Sequence, residues 1–325
     1  MAPKTTVITG RNGSGKTSLL EAVYIALRGS SFRGSDEDII KTDRSWWRID
    51  MQFSDQSKRT ITYDPTRTSG KKQFVVDGVK NYRLLTKYKY PIVLFEPDDL
   101  RLLSGSPSRR RRFIDTMIAQ IDTGYGTTLR KYERALKQRN SFLKQPNISS
   151  DEMFAWDVML SEYGAEIIEK RSMFAEKINQ YLDDNYRRIA GDSGQRMTIH
   201  YSHTLVGNIK QKLLSGLTSS YERDRLLGYT SIGPHRDDLI FMYGDRLAST
   251  VASRGEIRTI VLSLKFIEAR VIEESTGDKP VILLDDVYSE LDESRQQTLS
   301  TGFSDYQIII TSATNTSDAQ LVAKL

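Results

Sequence analysis

Residues 7–24 read VITGRNGSGKTSLLEAVY: a β-branched strand, a glycine-rich turn and the opening of a helix. Gly10 to Thr17 satisfy the spacing G-x-x-x-x-G-K-[ST] in full, with the strand before it and the helix after it that the pattern requires. Glycines let backbone N–H groups turn inward around phosphate oxygens, and a helix N-terminus adds a favourable field for an anion. Gly10, Arg11, Asn12, Gly13, Ser14, Gly15, Lys16, Thr17 and Ser18 are therefore the expected nucleotide-binding residues. In this reading Lys16 reaches the outer phosphates of ATP and the Thr17 hydroxyl is a ligand of magnesium (Mg2+). Leu19, Leu20, Val23, Tyr24 and Leu27 repeat at helical spacing behind the loop, and Gly29 is a stop signal.

A strand ending in two acids lies far downstream. VILLDDV (281–287) is an apolar run, as in a parallel strand buried on both faces. Its C-terminal end is where open α/β sheets bind ligands. Asp285 is placed to hold magnesium, and Asp286 to orient or deprotonate an attacking water.

Between these two ends the hydrophobic period changes twice. WWRIDMQF, RTITYD, KQFVVDG and YPIVLFEP, within 46–97, are expected as an antiparallel meander. From Pro107 the spacing becomes helical, with two helices broken near DTGYG and a longer one over 151–190. Leu160, Tyr163, Ile167, Phe174, Ile178, Tyr181 and Ile189 form one stripe of that longer helix, which predicts an antiparallel helical arm. Charge divides across the arm: 107–150 carry ten Lys/Arg against three Asp/Glu, and 151–190 carry five against nine. The split suits either mutual attraction of the helices or a basic face for phosphates. After 195 the pattern reads as strands and loops, RMTIHY and YTSIGPHRDDLIFMYG. A helix at 254–274, the acidic strand, a helix near 292–302 and the strand YQIIITSA follow. Alternating strands and helices at both ends of a helical insert imply one split α/β domain. Its parts are expected at 1–106 and 196–325, with the arm at 107–195.

Composition excludes several classes. The 325 residues are 38% hydrophobic and 27% charged, include no cysteine and only three histidines, and sum to a formal charge of +5. A disulfide framework and a thiolate metal site are thereby excluded, and three histidines disfavour a histidine-based metal site. No apolar run reaches membrane-spanning length and no signal sequence is visible, so a cytoplasmic location is expected. The positive charge permits an acidic partner.

ASRGE (252–256) precedes the helix at 254–274. It resembles the signature of ABC-type ATPases, with Ser253 at the serine position and Gly255 at the second glycine; Arg254 and Glu256 depart from the LSGGQ form of transporters. The resemblance implies that Ser253 acts in trans, on the γ-phosphate held by a second copy. Ser253 is also a natural cap for its own helix.

Four stretches resemble the RecF family. They are the phosphate loop with SFRGSDEDII, PDDLRLLSGSPSRRRRFID (97–115), GPHRDDL (233–239) and LLDDVYSELDESRQQTL (283–299). The resemblance implies an α/β P-loop ATPase head of the ABC/SMC type with an inserted helical arm, binding ATP and magnesium. It further implies an ATP-dependent homodimer and a weak, DNA-stimulated ATPase. Binding to double-stranded DNA near gaps is implied too, with help to RecR and RecO in loading RecA during repair and the SOS response. Asp292 then falls in the D-loop at the dimer seam, and Thr311 or Thr314 near the position of a switch histidine. Arg33 matches an arginine kept near nucleotide and DNA. Arg109, Arg110, Arg111 and Arg112 are the densest basic cluster and the expected phosphate contacts on DNA, with Arg110 and Arg111 also candidates for ion pairs to the acids of PDD. Family members carry two further strands before the phosphate-loop strand and a closing strand at the tail; here neither is expected. Readings as a nucleotide-stabilised head without turnover, an OLD-type nuclease ATPase domain or a transporter subunit fit less of the sequence.

Overall fold

The computed structural model describes residues 4–145, 149–191, 195–203, 205–313 and 321–324. In chain order the N-terminal elements are β1 (Thr5–Thr9), α1 (Lys16–Arg28), β2 (Trp47–Gln52), β3 (Lys58–Tyr63), β4 (Lys72–Val76), β5 (Val79–Asn81) and β6 (Ile92–Phe95). Then come α2 (Pro107–Ile121), α3 (Thr123–Phe142), α4 (Ser150–Ala190), β7 (Met197–Ser202), α5 (Ile209–Ser219), α6 (Tyr221–Leu227), β8 (Asp238–Tyr243), β9 (Arg246–Leu247) and α7 (Ala248–Val251). The chain closes with α8 (Arg254–Thr276), β10 (Val281–Asp285), α9 (Glu293–Gly302), β11 (Ile308–Ser312) and β12 (Leu321–Lys324). Among the described residues no helix is long and apolar enough to cross a membrane. The chain forms two compact units, one comprising the residues up to Asp99 and from Glu268 on, the other Leu100–Ile267.

The first unit is built on a parallel sheet of order β12-β1-β11-β10-β6. Val7, Ile282, Leu283 and Leu284 are fully buried, as expected for strands covered on both faces. Register sets Ile8 and Asp285 on either side of Thr311, so the C-terminal ends of β1, β11 and β10 lie in line. Leu20 and Leu27 of α1 pack with Ile92 and Leu283 of the sheet, while Ile25 and Ala26 pack with Trp47, Ile61 and Phe74 of the antiparallel meander β2-β3-β4-β5. The helix that follows the phosphate loop is thus wedged between two sheets.

Two expectations are corrected here. YPIVLFEP does not join the meander: β6 pairs in parallel with β10, and β5 ends the meander instead. Ile92, Val93 and Phe95 are all buried, and such a continuous apolar run has to be covered on both sides. The tail does have a closing strand, since β12 pairs in parallel with β1 through Thr6↔Leu321 to Thr9↔Lys324. Four residues are too few for alternation to register as a strand signal.

The second unit is mainly helical. Pro107 stands in the first turn of α2, and Asp122 separates α2 from α3 by accepting the Tyr125 backbone N–H at 3.0 Å. Ser149 and Glu152 form a reciprocal capping box at the start of α4. Ile167, Phe174, Ile178, Leu182 and Tyr186 run buried along α4. The opposed charges of the two arm segments meet inside the unit. Lys170 pairs with Asp122 at 2.9 Å, Thr128 donates to Glu166, and the fully buried Arg139 donates to Asp157 and Asp224 at 2.7 Å each. Partners descend along α4 as they ascend along α3, so the two helices are antiparallel.

The unit continues past residue 195, the end of the arm in the sequence reading. Asn179 of α4 both donates to the Ile199 carbonyl and accepts the Ile199 N–H at 2.7 Å, which ties the β7–β8 hairpin to the helix. The helices α5 and α6 fall in a stretch that reads as strands and loops. Gly216 and the serines and threonines around it weaken the helical signal; Leu213 and Leu217, buried four residues apart, are its visible trace.

Candidate nucleotide-binding site

The phosphate loop leaves β1 and re-enters α1 through two glycines with positive φ, Gly13 at 82° and Gly15 at 97°. Side chains rarely take that backbone conformation, which is why glycine stands at both places. The Ser14 N–H donates to the Arg11 carbonyl at 3.1 Å, closing the turn. Lys16 is buried, with Nζ donating to the carbonyls of Gly10 at 3.1 Å and Arg11 at 3.3 Å. Its ammonium is therefore held over the loop, where phosphate oxygens are stronger acceptors than these carbonyls.

Next to the loop runs a chain of hydroxyls and carboxylate. Thr17 Oγ1 donates to Asp285 Oδ1 at 2.9 Å, and Thr311 Oγ1 donates to the same oxygen at 2.8 Å. The Asp286 N–H donates to Thr311 Oγ1 at 2.9 Å. Asp286 has φ of 51°, one of three non-glycine residues with positive φ among those described. Strain of this kind concentrates at functional sites. Thr17 Oγ1 and Asp285 Oδ1 are hard oxygen donors side by side beneath the loop, the donor set magnesium takes when phosphates and water complete its shell.

The buried Glu21 of α1 accepts from the Ser31 hydroxyl, and Ser31 Oγ accepts the N–H groups of Arg33 at 2.9 Å and Gly34 at 3.1 Å. The turn that presents the exposed Arg33 is thus fixed to the helix carrying Lys16. Sequence reading missed Glu21 and Ser31; an acidic residue next to Leu20 on the core side of α1 was the available signal. Asp292 caps α9, accepting the Arg295 N–H at 3.0 Å and also the Arg295 guanidinium. Gln296 donates to the carbonyls of Tyr288 and Leu291 at 2.7 and 3.0 Å, which fixes the turn after the acidic strand. Thr314 lies outside the described residues.

The remaining candidates belong to the second unit. Ser253 and Glu256 cap α8 reciprocally: the Ser253 N–H donates to Glu256 Oε2 at 2.6 Å, and the Glu256 N–H donates to Ser253 Oγ at 3.3 Å. Tyr243 donates to the other Glu256 oxygen at 2.8 Å. These bonds, that from the Ser253 backbone first, hold the Glu256 carboxyl below its usual range. Ser253 and Arg254 are exposed. In the basic cluster, Arg110 is bidentate to Asp238 at 2.8 Å and also donates to the carbonyls of Leu103 and Gly105. Arg111 donates to the Asp237 carbonyl at 2.7 Å. The partners of these two arginines therefore lie in GPHRDDL, not in PDD, a correction: α2 packs along β8, and Asp99 instead accepts the Glu96 N–H. Arg109 is half-buried and Arg112 exposed.

The chain is similar to known proteins over nearly its whole length. Residues 2–184 match the family model described as an AAA domain. The DNA replication and repair protein RecF of Clostridium perfringens is 33% identical over 317 residues, 96% of this chain and 87% of that protein. RecF of Streptococcus agalactiae serotype V is 35% identical over 311 residues, 93% of this chain and 83% of its own. A solved structure of the recombination mediator protein RecF with ATPrS, in the RecFOR pathway, superposes with TM-score 0.86 at 31% identity, covering all of this chain and 91% of that one. An Smc head bound to the C-terminal winged-helix domain of ScpA shares the fold at TM-score 0.50 and 15% identity, over 95% of this chain and 82% of that one.

Proposed function

The chain belongs to the RecF family, and on that premise we propose that it is an ATP-dependent DNA-binding ATPase of recombinational repair and replication restart. The observation that carries this reading is the run Thr17–Asp285–Thr311–Asp286, which joins the phosphate loop to the acidic strand through shared hydrogen bonds. Residues 10–18 hold the nucleotide. Lys16 exchanges its two carbonyl partners for β- and γ-phosphate oxygens. Thr17 and Asp285 hold magnesium, which neutralises charge on the phosphates when bound. Asp286 orients the attacking water and accepts its proton. Thr311 keeps both acids in place, and Thr311 or Thr314 serves as the switch residue.

Function requires two copies. Ser253, at the start of α8, completes the γ-phosphate site of a partner, so nucleotide binding and dimerisation are one equilibrium. Asp292 lies at the seam. The closed dimer clamps double-stranded DNA near gaps through Arg33, Arg109 and Arg112, with Arg110 and Arg111 holding their helix in position. Slow, DNA-stimulated hydrolysis reopens it. RecR- and RecO-type mediators, and through them the loading of RecA, are the downstream partners. In functional terms 1–106 and 196–325 form the ATPase lobe and 107–195 the arm, working in the cytoplasm.

Sedimentation velocity with magnesium and a non-hydrolysable ATP analogue, with and without gapped duplex, tests this reading. A dimer is expected only with nucleotide. A chain that binds the analogue and stays monomeric on DNA overturns the clamp. Parallel assays of phosphate release with and without DNA measure turnover.

A further inference from the structure

A cleft of about 430 Å³ opens in the second unit between α2, α3 and the 233–239 loop. The sequence singles out both flanking segments, SPSRRRRFID and GPHRDDL, and the nucleotide site uses neither. Charges deep in the cleft are settled. The buried Arg171 is bidentate to Asp115 at 2.8 Å and donates to the Pro234 carbonyl at 2.7 Å, so that pair is neutral. His235 shares a 2.7 Å hydrogen bond with the Tyr132 hydroxyl and a 3.0 Å one with the Thr230 carbonyl. Burial pushes its pKa down to about 4, so it too is uncharged at neutral pH.

The rim is different. Arg111 is half-buried and spends one N–H on a carbonyl, with no salt bridge among the described residues. Burial first, and the neighbouring Arg171 second, disfavour its charge. Arg112 is exposed and has neither hydrogen bond nor salt bridge among the described residues. Arg130 donates to Thr127 of its own helix at 3.1 Å. Among the described residues lining the rim, Glu133 is the carboxylate set against these three guanidiniums. The rim therefore keeps an excess of about two positive charges facing one cavity.

We propose that this cleft binds a phosphate monoester carried on a nucleoside, either a free nucleoside monophosphate or the phosphorylated end of a nucleic-acid strand. A monoester carries about −1.5 to −2 charges at neutral pH, which matches the rim, whereas an internal phosphodiester carries about one. Guanidinium forks fit phosphate oxygens in pairs. The volume falls in the usual range for small-ligand sites, and Leu129, Leu136 and Ile167 give the nucleoside an apolar wall. With a strand end as ligand, the proposal rests on the DNA-binding reading above; with a free nucleotide it stands alone.

The test is fluorescence polarisation with a short labelled duplex bearing a 5′-phosphate or a 5′-hydroxyl, with the phosphate loop saturated by a magnesium–ATP analogue. Wild-type protein is expected to prefer the phosphorylated end by about tenfold. R112A/R130A, which alters two exposed side chains, is expected to erase that preference while keeping its circular dichroism spectrum and its affinity for the analogue. E133Q is expected to enlarge the preference. Calorimetric titration of thymidine 5′-monophosphate, against thymidine as control and under the same saturation of the phosphate loop, distinguishes the sources: binding of the monophosphate that is lost in R112A/R130A supports a free nucleotide, and preference for the phosphorylated end without such binding supports a strand end. Equal binding of both ends together with no binding of the monophosphate overturns the proposal, as does a preference that survives R112A/R130A. Failure to bind the analogue would count instead against the ATPase reading.

Discussion

Thr311 Oγ1 lies 2.8 Å from Asp285 Oδ1 and 2.9 Å from the Asp286 backbone nitrogen, so one hydroxyl on β11 restrains both acids at the end of β10. Thr311 is itself fully buried. The arrangement explains how Asp286, without glycine's freedom, is kept at φ of 51°.

Replacing Thr311 by Val removes the hydroxyl and keeps the shape. Expected effects are a loss of about 1–3 kcal/mol in unfolding free energy and a drop of about tenfold or more in single-turnover hydrolysis. ATP affinity should change little, because Lys16 and the loop backbone are untouched. Thr311→Ser should restore both quantities. Wild-type turnover in T311V would show that the hydroxyl has no positioning role.

Ser253 caps α8, and the proposed function gives it a second, separable role in completing a partner's site. Asn caps a helix about as well as Ser, and Ala costs about 1 kcal/mol at such a position. S253N should therefore melt like wild type yet lose nucleotide-dependent dimerisation in sedimentation, whereas S253A should lose both. Normal dimerisation of S253N would confine Ser253 to the cap.

Neighbouring arginines on α2 should behave oppositely. Arg110 is mostly buried in its bidentate pair with Asp238, and R110A leaves that carboxylate without its cation, at a cost of about 2–4 kcal/mol in denaturant unfolding. R112A should be neutral in stability, weaken DNA binding and flatten the dependence of affinity on salt. Equal destabilisation by the two substitutions would contradict this division.

His235 gives stability a pH dependence. Its unfolded pKa is near 6.5 and its folded value about 4. Below pH 6.5 the unfolded chain takes up a proton that the native state refuses, so stability is complete above that point and is lost as pH falls towards 4. The full effect is about 3 kcal/mol. Tyr132 is hydrogen-bonded to the ring, Arg236 and Arg111 oppose its protonation and Asp224 favours it, while Arg171, Asp115 and Glu133 line the same cleft. H235Q should have a flatter profile than wild type over that window, measured by urea midpoints; parallel profiles would exclude His235 as the source.

Contiguous motifs were the legible part of this molecule. The phosphate loop and VILLDD each write their chemistry within a few residues, because one turn or one strand end suffices to present it. Thr311 could be named as a candidate, but its grip on both acids depends on β11 lying between β1 and β10, a strand order that no local spacing encodes. The Arg110–Asp238 pair spans 128 residues and was hidden for the same reason. The helices α5 and α6 were obscured by weak local propensity, and the partners of β6 and β12 depend on the whole sheet.

Strand β12 flanks β1 on the side away from β11, so the root of the phosphate loop is gripped from left and right. Stripped of that neighbour, Thr6–Thr9 would offer a bare row of amide donors and acceptors to any passing chain. The tail segment thus steadies the ground on which the nucleotide cradle stands and moves the open edge of the sheet one strand away from it.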